Sequence, residues 1–265
     1  MTIAPLFISH GGPDVLINES PARHVWQAHA ASLPRPRGIV IMSAHYLALQ
    51  PLIGSAPQWR TVHDFGGFPR ELYQLNYPAH GDAALAQQVS DALGAAGIAH
   101  QHDPADGMDH GTWVPLLMMY PQADIPVVTL STLPRQDAAA HYRLGQALAG
   151  LAAQDILIIG SGSVTHNLYA LGAPGTPAQP WAQAFADWVA QRLQQGDVAG
   201  LLNWQADAPF GKQNHPTDEH LLPLFFALGA ANGRPARSLH RGIEYASVTM
   251  DAWDFAGTAS EAVSL

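Results

Sequence analysis

Four apolar runs limit what this chain can fold into. They are Ile3-Ala4-Pro5-Leu6-Phe7-Ile8-Ser9, Gly38-Ile39-Val40-Ile41-Met42-Ser43-Ala44, Ile125-Pro126-Val127-Val128-Thr129-Leu130-Ser131 and Asp155-Ile156-Leu157-Ile158-Ile159-Gly160-Ser161. Each is short, rich in Val and Ile, and apolar without alternation. That pattern marks strands buried on both faces. A further strand is expected near 243–250. Helix-like stretches fall between the strands, at 20–32, 82–96, 112–120, 136–153, 179–195 and 218–230. The last is expected to start in the acidic pair Asp218-Glu219, behind Pro216 and Thr217. Strands alternating with helices make an α/β sandwich. No repeat, low-complexity tract or linker divides the 265 residues, so one domain over 1–265 is expected.

Two of these runs lead straight into a histidine. His10 follows the first, with Gly11-Gly12-Pro13 behind it, and His45 follows the second. In open α/β sheets the carboxyl ends of strands face the ligand crevice, so two such imidazoles can share a metal ion. Other histidines sit in loops or at element ends beside Gly, Ser or Pro: His110 in Asp109-His110-Gly111, His166 in Ser163-Val164-Thr165-His166-Asn167, and His215 and His220 in Asn214-His215-Pro216-Thr217-Asp218-Glu219-His220. Functional residues concentrate in such places. Each also has a plain structural explanation: a residue beside a helix cap for His110 and His166, a turn before proline for His215. His63 sits in an aromatic, Pro- and Gly-rich segment, 46–80, where it can line a pocket or hold the loop shut. The aromatics Trp59, Phe65, Phe68, Tyr73 and Tyr77 of that segment suit a pocket wall and core packing equally. A second loop of this kind covers 171–180. Trp113 and Tyr120 are expected in the core. His24, His29, His80, His100, His102, His141 and His240 stand in polar or helix-like contexts and read as solvated.

Composition narrows the chemistry. There are no cysteines, so disulfides, thiolate metal sites, iron–sulfur clusters and a cysteine nucleophile are excluded. Any metal must use nitrogen and oxygen ligands. Histidines, at 14, outnumber the 12 Lys plus Arg. The net charge of −9, without a basic cluster, disfavours nucleic acid as a partner. No apolar run reaches the roughly 18 residues that span a bilayer, and no leader pattern opens the chain. A cytoplasmic protein without a membrane partner is expected. Gly160-Ser161-Gly162-Ser163 lacks the rest of a dinucleotide fingerprint. It is not a nucleophile elbow either, because position 164 is Val.

Taken in order, Ser9-His10-Gly11-Gly12-Pro13, Ser43-Ala44-His45-Tyr46, His63-Asp64-Phe65-Gly66-Gly67-Phe68-Pro69, Asp109-His110-Gly111, His166-Asn167-Leu168 and His215-Pro216-Thr217-Asp218-Glu219-His220-Leu221-Leu222-Pro223-Leu224 make one pattern. The chain resembles the class III extradiol ring-cleavage dioxygenases, in the 4,5-DOPA dioxygenase-like branch. The resemblance runs from residue 5 to about 250. It implies a three-layer α/β/α sandwich around a mixed, largely parallel sheet. It also implies a non-haem metal held by His10, His45 and His220, with His166 as catalytic acid/base. His110 would bind the substrate or oxygen, and His63 and His215 would line the pocket. The substrates implied are a small catechol and O2.

The wider group uses two histidines and a glutamate, the facial triad of non-haem iron oxygenases. Here the third position is His220. Iron(II) is expected for activity, while three imidazoles also suit zinc, which can occupy the purified protein. A zinc-dependent hydrolase on the same site is the alternative. Arg70 and Arg241 are candidates for a substrate carboxylate, although a surface ion pair explains either one.

Overall fold

The computed structural model describes residues 2–257. In chain order the strands are β1 (Leu6–Ser9), β2 (Gly38–Leu47), β3 (Leu52–Gly54), β4 (Arg60–Thr61), β5 (Gln101–Asp103), β6 (Gly107–Met108), β7 (Val127–Thr132), β8 (Ile156–Gly162), β9 (Arg237–His240), β10 (Ile243–Glu244), β11 (Val248–Thr249) and β12 (Ala252–Asp254). The α-helices are α1 (Pro21–Ser32), α2 (Ala83–Ala95), α3 (His110–Met119), α4 (Ala138–Leu148), α5 (Pro180–Gln195), α6 (Val198–Leu202), α7 (Trp204–Asp207), α8 (Gly211–Asn214) and α9 (Leu222–Ala230).

Eight strands form one sheet in the order β5-β3-β7-β2-β8-β1-β12-β9. The four expected apolar runs are its centre, β7-β2-β8-β1, and they pair in parallel. The flanks join antiparallel, β3 on β7 and β12 on β1. The sheet is therefore mixed and largely parallel. Alternate residues of β2 show why its run is apolar throughout. Ile39 and Ile41 pack with Trp26 of α1 and Trp113 of α3, while Val40 and Met42 pack with Leu85 of α2, Leu144 of α4 and Phe226 of α9. With helices on both faces, neither side of a central strand meets water.

Three expectations change. The run at 243–250 is not part of the main sheet; it forms the small hairpin β10–β11. The helix expected over 218–230 begins at Leu222 with Pro223 in its first turn. Proline lacks the N–H that an interior helical position needs, so the start belongs beside it. The third change concerns His141, expected in solvent but fully buried. Its Nε2 accepts from Leu133 N at 3.0 Å and its Nδ1 donates to the Asp137 carbonyl at 2.8 Å. Helices α4 and α9 cross closely beside it: a Cβ on Gly145 would stand 2.0 Å from Phe226 O, and one on Gly229 would stand 2.0 Å from Tyr142 O.

Burial lowers the pKa of His141 to about 4, and that of buried His215 likewise to about 4. Both are therefore neutral in the fold. Below about pH 6.5 the unfolded chain takes up protons that the fold refuses, so stability falls as pH drops from there towards 4. The slope is about 1.4 kcal/mol per histidine per pH unit. Metal-free protein should lose up to about 4 kcal/mol between pH 6.5 and 5 from these two groups. Urea unfolding at several pH values checks this, and a flat profile over that range contradicts it.

Candidate metal centre

His10 leaves the end of β1, and its backbone N–H donates to Gly162 O at 3.0 Å. Gly11, at φ +64, then turns the chain sharply; a Cβ there would meet the Met250 sulfur at 2.4 Å. His45 is not past the end of its strand, as the short run suggested. Strand β2 continues to Leu47, and its register against β7 shifts between the Ser43–Ser131 and Leu47–Thr132 pairs. Residues 44–46 bulge out of the ladder there, and a bulge re-aims a side chain. His220 comes from the turn before α9. Two glycines of β8 let that turn approach the sheet: a Cβ on Gly162 would stand 2.1 Å from His220 O, and one on Gly160 would stand 2.1 Å from Pro223 O.

The three imidazoles converge through their Nε2 atoms. His10 Nε2 lies 3.1 Å from His45 Nε2, which lies 3.3 Å from His220 Nε2. The opposite ring nitrogens set the tautomers. Ser161 Oγ donates its hydrogen to Gly111 O at 2.5 Å, so at 3.1 Å it accepts from His10 Nδ1. His220 Nδ1 donates to Glu219 Oε1 at 2.9 Å. Both Nε2 atoms therefore carry lone pairs, which repel one another unless a cation lies between them. Two ligands about 2.1 Å from one ion stand about 3.0–3.4 Å apart at octahedral to tetrahedral angles. The observed spacings suit a divalent metal, and Ser161 and Glu219 stand where the outer partners of metal-binding histidines commonly stand. Burial first, then the neighbouring imidazoles, hold His10 and His220 well below the usual histidine range and bring His45 to about 3. All three are ready to bind without first losing a proton.

Around them stand two more histidines. The His166 ring stacks on His220, centroids 3.4 Å apart and 11° from parallel. Burial, then His215, lowers its pKa to about 4. It is thus neutral and proton-accepting at pH 7. His110 opens α3, and the cap on that helix is Asp109, whose Oδ1 accepts from Thr112 N at 3.2 Å. The same carboxylate accepts from Ser43 Oγ, which in turn accepts from His45 N at 3.1 Å. One half-buried acid thus fixes both the start of α3 and the bulge carrying His45. His110 Nδ1 and N lie 3.0 Å and 2.9 Å from Asp64 Oδ1. Burial works against Asp64 ionising, but His110 beside it holds its pKa below the usual carboxylate range.

These groups open into a cavity of about 600 Å³, within the range of small-molecule sites. His10, His45, His110, His166 and His220 line it, with Asp14, Asp64 and Glu219 as acids and Phe65, Phe68, Leu168 and Leu171 among its apolar walls. The aromatic segment divides: Phe65 and Phe68 face the cavity, while Trp59 and Tyr77 are core. Trp113 and Tyr120 are buried as expected.

His63 and His215 are not brought to its wall. His63 packs against Phe65 and Trp113 and donates from Nε2 to Leu75 O at 3.0 Å. His215 donates from Nε2 to Val164 O at 2.7 Å and touches Phe185 and Trp204. Among the described residues, no arginine lines the cavity. Arg241 pairs with Asp187 at 2.6 Å, and Arg70 is exposed at the head of the short 3₁₀ helix Arg70–Gln74.

Glu219 sits in a turn rather than a helix. It accepts from His220 and from Thr217 Oγ1 at 3.1 Å. One oxygen of it and nitrogens of His166 and His220 also lie within 4.8 Å of one another, as do nitrogens of His10, His45 and His110. The outer partners Ser161 and Asp64 carry no signal that sequence reading can use, since a serine after a strand and an aspartate in a loop are ordinary.

Gly162→Ala should push His220 away from His10 and His45. We expect a loss of about 1–3 kcal/mol of stability from the overpacked contact, and metal affinity at least about tenfold weaker. A zinc competition titration reads the second effect, and unchanged affinity would show that the turn does not depend on Gly162.

Known proteins share this site's family. The family model described as the catalytic LigB subunit of aromatic ring-opening dioxygenase matches residues 6–254. A 4,5-DOPA dioxygenase extradiol of Escherichia coli K12 is 39% identical over 250 residues, covering 92% of each chain. One from Beta vulgaris is 38% identical over 262 residues, covering 95% of this chain and 96% of the relative. The crystal structure of an uncharacterized protein from Escherichia coli K12 superposes with a TM-score of 0.80 at 36% identity, covering 95% of this chain and 98% of that one. No helix among the described residues is long and apolar enough to cross a membrane. With its histidine cluster at the mouth of a mostly parallel sheet and a family match over nearly its whole length, the chain belongs to the LigB family of aromatic ring-opening dioxygenases.

Proposed function

We propose that this protein opens the ring of a catechol by extradiol cleavage with O2, at a divalent metal held by His10, His45 and His220. The observation that carries the reading is the convergence of three Nε2 atoms at 3.1 and 3.3 Å. Bound there, iron(II) supplies Lewis acidity and the electron transfer that O2 chemistry needs, whereas zinc supplies only the first.

The chain's own residues do the rest. Phe65, Phe68, Leu168 and Leu171 sandwich an aromatic ring and keep water from it. His166, neutral at pH 7, takes the proton from a catechol hydroxyl on a free imidazole nitrogen and returns it to oxygen later in the cycle. His110, with Nδ1 facing Asp64, offers Nε2 to an oxygen of substrate or O2. Glu219 and Ser161 hold the ligand tautomers. His63 and His215 act from behind the wall, His63 by backing Phe65 and His215 by fixing the Val164 carbonyl two residues before His166. In the overall reaction both atoms of one O2 enter the product, and the carbon–carbon bond beside the diol breaks to give a hydroxymuconic semialdehyde.

The test is iron reconstitution under anaerobic conditions, then a panel of catechols under oxygen. Equal consumption of O2 and catechol with a new yellow chromophore is the expected result. Absence of O2 uptake with every catechol overturns the reading. Ester or amide hydrolysis by the zinc-loaded protein would then put a hydrolase in its place, since three neutral imidazoles also suit a zinc-bound water.

A further inference from the structure

The substrate cavity carries an uneven charge. Among the described residues, acids line it, lysine and arginine do not, and much of the remaining wall is apolar. Two of its acids, Asp64 and Glu219, are engaged with His110 and His220. Asp14 is different. Asp14 and Tyr245 are residues this cavity shares with a second groove of about 570 Å³, which none of the five histidines lines. They therefore stand at the boundary away from the metal ligands. That groove continues the negative charge with Glu19 and Glu244.

Asp14 is half satisfied. Its Oδ2 accepts from Tyr245 Oη at 2.6 Å and from Asn18 Nδ2 at 3.1 Å. Among the described residues, nothing donates to Oδ1. That oxygen lies over Gly12, where a Cβ would stand 2.5 Å from Oδ1 and 3.6 Å from the Phe68 ring. A free carboxylate oxygen and an aromatic ring thus flank one point in the cavity wall, the pair of groups that attracts an ammonium.

The other partner is held firmly. Tyr245 and Ala246 both adopt left-handed backbone, at φ 49 and 69, a costly conformation for a tyrosine. The loop at 171–180 secures them: Gly172 N donates to Tyr245 O and Gln179 N to Ala246 O, each at 2.8 Å. Burial and then Asp14 push the Tyr245 phenol above its ordinary pKa, so it stays a donor to that carboxylate.

We propose that Asp14, oriented by Tyr245, is a specificity-determining residue that receives an ammonium on the arm of the catechol. The preferred substrate class is then catecholamines without a carboxylate. An added carboxylate finds no lysine or arginine among the described residues of the cavity and meets Asp14 instead, with Glu244 in the adjoining groove beyond it. His10 and Asp14 line the same cavity and are four residues apart, at most about 14 Å along the chain, so no long arm is needed to reach from one to the other.

This inference rests on the ring-opening reading, so turnover and binding are measured separately. The probes are dopamine, 4-ethylcatechol, DOPA and 3,4-dihydroxyphenylpropionate. With iron-loaded protein, kcat/KM for dopamine should exceed that for 4-ethylcatechol about tenfold, the order expected of one charge-assisted hydrogen bond. DOPA should fall below dopamine, and the anionic catechol should come last. In Asp14→Asn the ratio of dopamine to 4-ethylcatechol should fall to within about twofold of one, and Asp14→Glu should restore part of it. Calorimetry on zinc-loaded protein should show the same ratios in affinity.

A wild-type ratio of one or less, DOPA preferred over dopamine, or a ratio unchanged in Asp14→Asn overturns the proposal. If Asp14→Asn does not fold, the wild-type ratios decide alone. Flat ratios with vigorous O2 uptake sink this inference and spare the ring-opening reading. The amine preference in binding, without O2 uptake from any catechol, does the reverse.

Discussion

Alanine at position 45 is expected to leave the purified protein without its metal. His45 Nε2 is the middle of the three converging nitrogens, 3.1 Å from that of His10 and 3.3 Å from that of His220. Without it, the remaining two nitrogens are a pair with no third donor between them. Loss of an outer hydrogen-bond partner alone lowers metal affinity about 10–100-fold, so loss of a proposed ligand should cost more than about 100-fold. The same is expected of His220→Ala. Elemental analysis of protein purified without chelator, together with a competition titration, checks both. The fold should survive, because the imidazole faces a cavity and its removal leaves no void sealed in the core. A His45→Ala protein that keeps stoichiometric metal would mean that the ion sits elsewhere, with His166, Glu219 and His220 the next cluster to examine.

The second large effect separates chemistry from metal binding. His166→Ala should retain the metal and lose turnover by about 10²–10⁴, the range for removing a positioned acid/base. His166 lines the cavity, and the three converging Nε2 atoms belong to other residues. Some loosening of His220 is expected too, since the two rings are stacked at 3.4 Å. For that reason metal content must be measured on the same sample as activity. His166→Gln keeps a planar polar group against His220 and should be equally inactive. Full activity in either variant removes His166 from the mechanism, and inactivity explained wholly by lost metal reassigns it to support of His220.

Both experiments probe residues that the amino-acid sequence itself singles out. His10 and His45 are visible because each follows an unbroken apolar run, although β2 carries on past His45 to Leu47. The start of α9 is also legible, although the acids at 218–219 point to it too early and Pro223 is the stronger signal. Two histidines resist sequence reading for opposite reasons. His141, in a helical context, is buried with both ring nitrogens bonded to backbone, Nε2 to Leu133 N and Nδ1 to Asp137 O. His63 looks like a pocket residue in its motif, yet its ring is turned onto Phe65, and it is the phenyl group that faces the cavity. Asp14 reads in the sequence as an ordinary acid after a glycine turn. Its charge gains meaning only beside a wall whose described residues include no lysine or arginine.

The chain's own pattern determined the sheet at its centre, the helices on both faces and the presence of surplus histidines at element ends. Those properties follow from local rules, since burial on both faces demands an unbroken apolar run and a proline belongs in a first turn. Tertiary structure decided which histidines meet. The three Nε2 atoms arrive from a strand end, a bulge and a turn, and the Ser161 that sets the tautomer of His10 is far from it in sequence but on the neighbouring strand. Hydrogen bonds and metal geometry act over about 3 Å, and only the packed sheet brings such distant residues within that reach.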